Sequence, residues 1–307
     1  MGGMRRARYL APWRRDGLEV ELSELEGDAE GMAEALAALR GKPAIYHCMS
    51  RVAGGLFLLG DREKEEFVRM MRAYEAFGQV RVLDYCVMSN HFHILLEVPA
   101  APEDRGASWS DEEFLAHLGT LYFGKQLKEF RQELERYRAQ GNDRAAEAMR
   151  GRFFARMWDL SAFFKGLKQR FTQWYNREHD RTGYFWGQRF KSVLVEDGHA
   201  ARTIAAYIDL NPVRAGLVED PKEYRWCGYA EAVAGKQTAR DGLRLVMYEQ
   251  RTARAGKAGA GAEVASWREV ARRYRVVLLE VGKAEEGEQG PTGSKGRKGP
   301  QGGKEGT

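Results

Sequence analysis

Two histidines spaced two apart, His91 and His93 in NHFHILLEV, are the side chains in this sequence best placed for joint chemistry. Residues two apart on a β-strand share a face, with Cα atoms roughly 6.5–7 Å apart, so both imidazoles can reach one metal ion. On a helix the same spacing would send them to nearly opposite sides. Phe92, between them, turns the other way and can anchor the strand in the core. A second pair, Tyr207 and Asn211, ends a helical pattern just before Pro212, one turn apart on one face. A helix laid across the strand would aim a phenol and an amide oxygen at the histidines. The neutral His–His–Asn set leaves an ion's full charge to polarise a phosphate, and its partly oxygen character suits Mg²⁺ or Mn²⁺. Each residue also has an ordinary reading: half-buried polar side chains for the histidines, a core aromatic for Tyr207, a helix terminus for Asn211.

A third pattern is electrostatic. The 307 residues carry a net charge of +5, too little to mean much when spread evenly. Between Ser161 and Ser192, however, seven basic residues (Lys165, Lys168, Arg170, Arg177, Arg181, Arg189 and Lys191) face only Glu178 and Asp180. Nine aromatic side chains are interleaved with them. Cations with flat faces between them suit a single-stranded nucleic acid, and Lys165, Lys168, Arg170, Arg189 and Lys191 are the candidate phosphate contacts. The competing reading is an amphipathic helix and strand with a solvated basic side, and several of the aromatics must be core in any case.

These groups need a scaffold. A hydrophobic content of 43% supports a packed core and excludes a chain disordered throughout. The longest run without charge, Tyr85 to Leu96, is too short to span a bilayer, so no membrane partner is expected. Three scattered cysteines, Cys48, Cys86 and Cys227, exclude a disulfide framework and a cysteine-based zinc site, and fit a reducing cytoplasm. Alternation and periodicity predict strands over 44–52, 80–88, 91–98 and 184–195, with helices over 62–77 and 199–210. Ser89-Asn90 supplies a hairpin turn. The stretch 110–176 reads as helical, opening with a Ser110/Glu113 capping box and broken at Gly141-Asn142. The strand–helix–strand–strand–helix–strand order predicts an α+β fold, a ferredoxin-like antiparallel sheet with helices on one face.

The blocks YHCMSR (46–51), DYCVMSNHFHILLEV (84–98), GYFWGQRFKS (183–192), YIDLNPVRAGLV (207–218) and YRWCGY (224–229) together resemble the single-tyrosine transposases of the HUH nuclease superfamily, most closely the REP-associated tyrosine transposase branch. The resemblance spans about 44–230, with the blocks in the family's order. It implies an HUH nuclease fold, with His91 and His93 in the metal-binding motif, Asn211 as third ligand and Tyr207 as nucleophile. The implied activity is cleavage and rejoining of single-stranded, hairpin-containing DNA through a 5′-phosphotyrosine, by a monomer or homodimer. Tyr175, followed directly by Asn176, is the rival nucleophile, but adjacent helix residues diverge by roughly 100°. His47, His117, His179 and His199 lack a spaced partner and read as structural.

The domain plan is a basic arm and helix over 1–43, a catalytic domain over 44–235 with a charged helical insertion at about 125–152, a helical extension over 236–282 and a Gly-rich tail over 283–307. The tail's six Gly-x-y triplets carry only two prolines and cannot sustain a collagen helix unaided. Two other functions use the same residues: a ferredoxin-like module that holds nucleic acid without catalysis, and a replication-initiator or relaxase-type nickase.

Overall fold

The computed structural model describes residues 43–195, 198–248 and 265–288. Residues 1–42 of the expected arm and helix, and 289–307 of the tail expected over 283–307, lie outside them, while 283–288 are helical and not part of a structureless tail. Four strands, β1 (Ala44–Arg51), β2 (Arg81–Val87), β3 (His91–Val98) and β4 (Lys191–Val195), form one antiparallel sheet in the order β2-β3-β1-β4. This is the α+β, ferredoxin-like arrangement that the element order predicts. Helix α1 (Asp61–Gly78) joins β1 to β2, and α2 (Asp111–Leu118), α3 (Gly124–Ala139), α4 (Asp143–Phe154) and α5 (Leu160–Glu178) lie between β3 and β4. The Ser110/Glu113 capping box closes the start of α2, and the break at Gly141-Asn142 separates α3 from α4.

The helices cover both faces of the sheet, which corrects the one-face expectation. Side-chain alternation sorts the strands. Tyr46, Cys48, Phe92, Ile94 and Leu96 point to a core shared with α1 and α5, where Phe67 lies 4.8 Å from Phe92 and 5.4 Å from Phe171 between ring centroids. Ile45 and Leu95 point to the opposite core. That side is closed by α6 (Gly198–Asp209), the short turn α7 (Asn211–Arg214), α8 (Gly228–Val233), α9 (Gln237–Tyr248) and α10 (Trp267–Glu288). Helix α6 lies close because its inward side chains are small: Ala201, Ala205 and Ala206 are buried beside Ile208. Helix α9 comes closer still, since a Cβ on Gly242 would stand 2.5 Å from the Leu83 carbonyl oxygen.

Strand β4 is shorter than the predicted 184–195. Residues 184–190 form an irregular segment with bends at 185, 187 and 188 and one bridge, Trp186 to Val52, between Gly183 at a positive φ of 92° and Gly187 against the Ala53 backbone. A register shift between Val82 and Asp84 interrupts the alternation of β2. After it Tyr85 and Val87 face the aromatic core, and Cys86 faces the α6 side. Among the described residues no helix is long and apolar enough to cross a membrane.

Candidate active site

Odd-numbered positions of β1 and β3 face α6, and four of them near one end of the strands are polar. In the pairing register His47 stands opposite Leu95, Met49 opposite His93 and Arg51 opposite His91. His47 and His93 are therefore diagonal neighbours on one face, within reach for long side chains. Their rings stack with centroids 5.1 Å apart, and His47 Nε2 lies 2.9 Å from His93 Nδ1 in a hydrogen bond. The His91 and His93 rings are also 5.1 Å apart, nearly perpendicular. His91 Nδ1 lies 2.6 Å from the Asn90 side-chain oxygen. An amide oxygen only accepts, so the His91 proton sits on Nδ1 and the Nε2 lone pair is left for another partner.

Burial keeps all three imidazoles uncharged at neutral pH. It pushes His47 and His91 from 6.5 down to about 4, with the Arg51 cation adding to the fall at His91. His93 falls to about 3, through burial first and then the neighbouring His47, His91, Arg51 and Arg214. A neutral imidazole keeps the lone pair that a metal ion requires.

The last turn of α6 brings Tyr207 over this group. Its ring is 6.0 Å from that of His93 and 6.3 Å from that of His47, edge-on to both. The residue is 39% exposed, so its face toward solvent is open to a substrate. Arg214, two turns on, holds it from outside: the guanidinium carbon is 4.1 Å from the ring centroid, and Nη1 donates to the Tyr207 carbonyl at 3.0 Å. Asn211 begins the turn after α6. Its Nδ2 donates to the carbonyls of Tyr207 at 3.0 Å and Ile208 at 3.1 Å. The Asn211 side-chain oxygen, on the other side of that amide, is the atom that could ligate a metal.

A buried carboxyl pair fixes this helix end. Asp209 is wholly buried, and accepts from the Tyr274 hydroxyl at 2.7 Å and the Tyr229 backbone N–H at 3.2 Å. The shift in β2 turns Asp84 toward it. Burial, and then the charge of Asp209, push the Asp84 carboxyl well above its usual range, while Asp209 rises to about 6 through burial against the opposing Tyr274 hydrogen bond. Through Tyr229 and Tyr274, Asp209 ties the Tyr207 turn to α8 and α10.

The basic–aromatic segment is divided by the sheet. Lys191 pairs with Met49, which also pairs with His93, so Lys191 stands on the site face two strand spacings, roughly 10 Å, from His93. Beside it Val193 is 58% exposed, leaving the β4 end of the face open. Lys165, Lys168 and Arg170 belong to α5, behind the sheet. Lys168 donates to Ser50 Oγ at 2.7 Å and the Gln188 carbonyl at 2.8 Å, and Arg170 donates to the Leu121 carbonyl at 3.0 Å. Lys165 and Arg189 are exposed. Of the aromatics, Phe163, Phe164, Phe171, Tyr175, Phe185, Trp186 and Phe190 are buried in the core and Tyr184 is open to solvent. Tyr175 stacks on His179 at 4.1 Å and packs on Phe185 at 4.5 Å, away from the histidine cluster.

His47 and Arg214 are the site residues that sequence spacing did not single out. His47 has no histidine near it in sequence and is found only through the β1–β3 register. Arg214 could have been found, because seven residues from Tyr207 is two turns along one helix face.

No protein-family model matches the chain, and no curated protein matches it. Among solved structures, the chain is similar to a REP-associated tyrosine transposase bound to a REP hairpin, with a TM-score of 0.39 and 12% identity, over 62% of this chain and 80% of that one.

Proposed function

We propose that this protein cleaves and rejoins single-stranded, hairpin-containing DNA in the manner of a transposase, with Tyr207 as nucleophile. The observation that carries the reading is a partly exposed phenol ring whose centroid lies about 6 Å from those of two neutral histidines, His93 buried and His47 half-buried, that share a sheet face with a third. The motif blocks of the sequence, in the order of the HUH tyrosine transposases, point the same way.

The donor set fits a divalent metal. His91 and His93 each have Nδ1 engaged by a neighbour, Asn90 or His47, which leaves Nε2 to ligate, and Asn211 adds an amide oxygen. Mg²⁺ or Mn²⁺ held by His91, His93 and Asn211 would supply Lewis-acid polarisation of the scissile phosphate. His47 accepts the His93 Nδ1 proton in this arrangement, and so sets the tautomer that presents Nε2. Arg214 clamps the Tyr207 ring. The Tyr207 oxygen attacks phosphorus, the bond from phosphorus to the 3′ oxygen breaks, and the proton lost by the phenol is balanced by the one gained at the new 3′-hydroxyl. The 5′-phosphotyrosine conserves the ester, so a 3′-hydroxyl can reverse the step without ATP.

Incubation with labelled single-stranded hairpins and Mn²⁺ should trap a covalent protein–DNA adduct that peptide mapping places on Tyr207. Tyr207→Phe should bind DNA and metal yet form no adduct. An adduct that persists in Tyr207→Phe, or that maps to Tyr175, overturns the assignment.

A further inference from the structure

Behind the sheet, between α1, α3 and α5, lies a cleft of about 620 Å³ whose charge is unbalanced. Arg156, Lys165 and Arg170 line it, and no acidic side chain is among its described lining residues. Its two arginines donate to neutral oxygens: Arg156 to the Tyr122 hydroxyl at 2.6 Å and Arg170 to the Leu121 carbonyl at 3.0 Å. Their positive charge therefore stays uncancelled in the cleft. Tyr74 forms part of the wall and lies flat against α5 because residue 166 is glycine, where a Cβ would stand 2.3 Å from the ring. Gln169 and Gln173 complete the rim with amides that both donate and accept.

The same two glutamines line a second hollow of about 250 Å³, with Lys168, Tyr184 and Trp186. Tyr184 is 92% exposed, a flat ring with nothing stacked on it among the described residues. The two hollows are thus one track along α5. It reaches the active-site end of the sheet through Lys168, whose ammonium bonds Ser50, next to the Arg51 that pairs with His91. Cations to follow a backbone, a bare aromatic to stack a base and amides tolerant of any base edge are the equipment of a single-strand path. A volume near 600 Å³ falls in the range of sites that take a single small ligand, the size of one nucleotide.

We propose that the α5 track holds an unpaired segment of the DNA whose scissile phosphate lies at Tyr207, with a phosphate seated among Arg156, Lys165 and Arg170 and a base on Tyr184. The proposal rests on the DNA-cleaving reading above and adds where the strand runs.

The test uses the full chain and a 5′-fluorescein-labelled thymidine 20-mer, with binding followed by anisotropy across a salt series. Lys165, Gln169 and Gln173 are exposed on one face of α5, so Lys165→Glu/Gln169→Glu/Gln173→Glu should keep the melting temperature of the parent. It should lower affinity at least tenfold and flatten the log–log salt slope by about 0.7 for each phosphate no longer neutralised. A control that also shifts the charge by four units, Arg268→Glu/Arg272→Glu on α10, should leave both nearly unchanged. If the triple variant does not fold, Lys165→Gln/Gln173→Ala takes its place, with a smaller loss expected. Parental affinity and slope in a folded track variant overturn the proposal. So does an equal loss in the α10 control, which would reduce the effect to bulk charge, or equal weakening toward a blunt duplex or a polyglutamate peptide. Adduct formation at Tyr207 on a short hairpin, measured in parallel, separates the two readings. Adduct without track dependence sinks the track alone, and a parent chain that neither binds DNA nor forms adduct sinks both.

Discussion

The two faces of the sheet are built on opposite principles. The face under α1 and α5 is filled by large rings, with Phe67, Phe92, Phe164, Phe171 and Trp186 in mutual contact. The face under α6 is lined with alanines and carries three neutral histidines and a buried carboxyl pair. The first makes a thick, rigid backing for β3. The second trades apolar volume for close approach, so that one helix turn can set a phenol beside ring nitrogens. The aromatic core and the candidate site are thereby placed on separate surfaces of the same two strands. Alternating residues of NHFHILLEV serve both.

The sharpest way to break this division is to exchange the roles. Phe67→Ala should cost about 3–5 kcal/mol, the usual effect of truncating a wholly buried phenylalanine. Chemical denaturation measures it, and any loss of adduct formation should follow the fraction unfolded. If Phe67→Ala abolished adduct formation while leaving stability intact, the backing would be part of the site and the division false.

The carboxyl pair is the next largest effect, because it is the stabilising element inside the chemical face. Asp209→Ala strands the Tyr274 hydroxyl and the Tyr229 N–H in a dry interior, at about 1–3 kcal/mol for each unsatisfied group. Asp84→Asn keeps the shape of the side chain and an oxygen for the Tyr85 N–H, and removes the buried acid, so it should be tolerated. It should also flatten a pH dependence. A buried acid with a raised value holds its proton in the fold after the unfolded chain has lost it, so Asp84 makes stability fall as pH climbs from the usual carboxylate value of 3.8 upward. Thermal melts across pH should show that fall in the parent and a smaller one in Asp84→Asn.

What could be read from the sequence divides along the same line. Strand β3, the Ser110 cap and the helix carrying Tyr207 are legible because hydrophobic period and capping chemistry are local signals. The two-sided cover of the sheet is written in VLDYCV and HILLEV, which are apolar on both parities, as strands buried on both faces must be. Composition of the C-terminal region gave no hint that it supplies that cover. The pairing of His47 with His93 depends on strand register, and the aim of Asp84 on an irregularity in β2, and both arise only when distant segments meet. The shortening of β4 follows from Gly183 and Gly187, whose conformation and packing are tertiary properties.

The histidines give the third effect, with the opposite sign to Asp84. Each binds a proton near pH 6.5 when unfolded but only near pH 4 or about 3 in the fold. Stability is therefore full above pH 6.5 and is lost as pH falls through about 4. Thermal melts between about pH 7.5 and 4 should show this loss, and His47→Gln should reduce it while keeping an acceptor for His93. Mn²⁺ competes with protons for the same lone pairs, so it should raise the melting temperature at about pH 7.5 more than at about pH 5. Identical acid sensitivity in parent and His47→Gln would remove His47 from the cluster.

Arg214 gives the smallest effect and the finest test of the division. It touches Tyr207 from outside the core and is itself exposed, so substitution should change stability by no more than about 0.5 kcal/mol. Its work is geometric: a planar guanidinium lies on the phenol ring while a second contact fixes the helix end. Lysine keeps the charge but presents a compact ammonium that cannot lie flat on a ring and bond a carbonyl at once. Arg214→Lys should therefore leave melting temperature and Mn²⁺ affinity at parental values and slow adduct formation severalfold in single-turnover assays. Arg214→Ala should slow it further. If lysine matches the parent rate, charge alone is required beside Tyr207, and the clamp is only a surface contact.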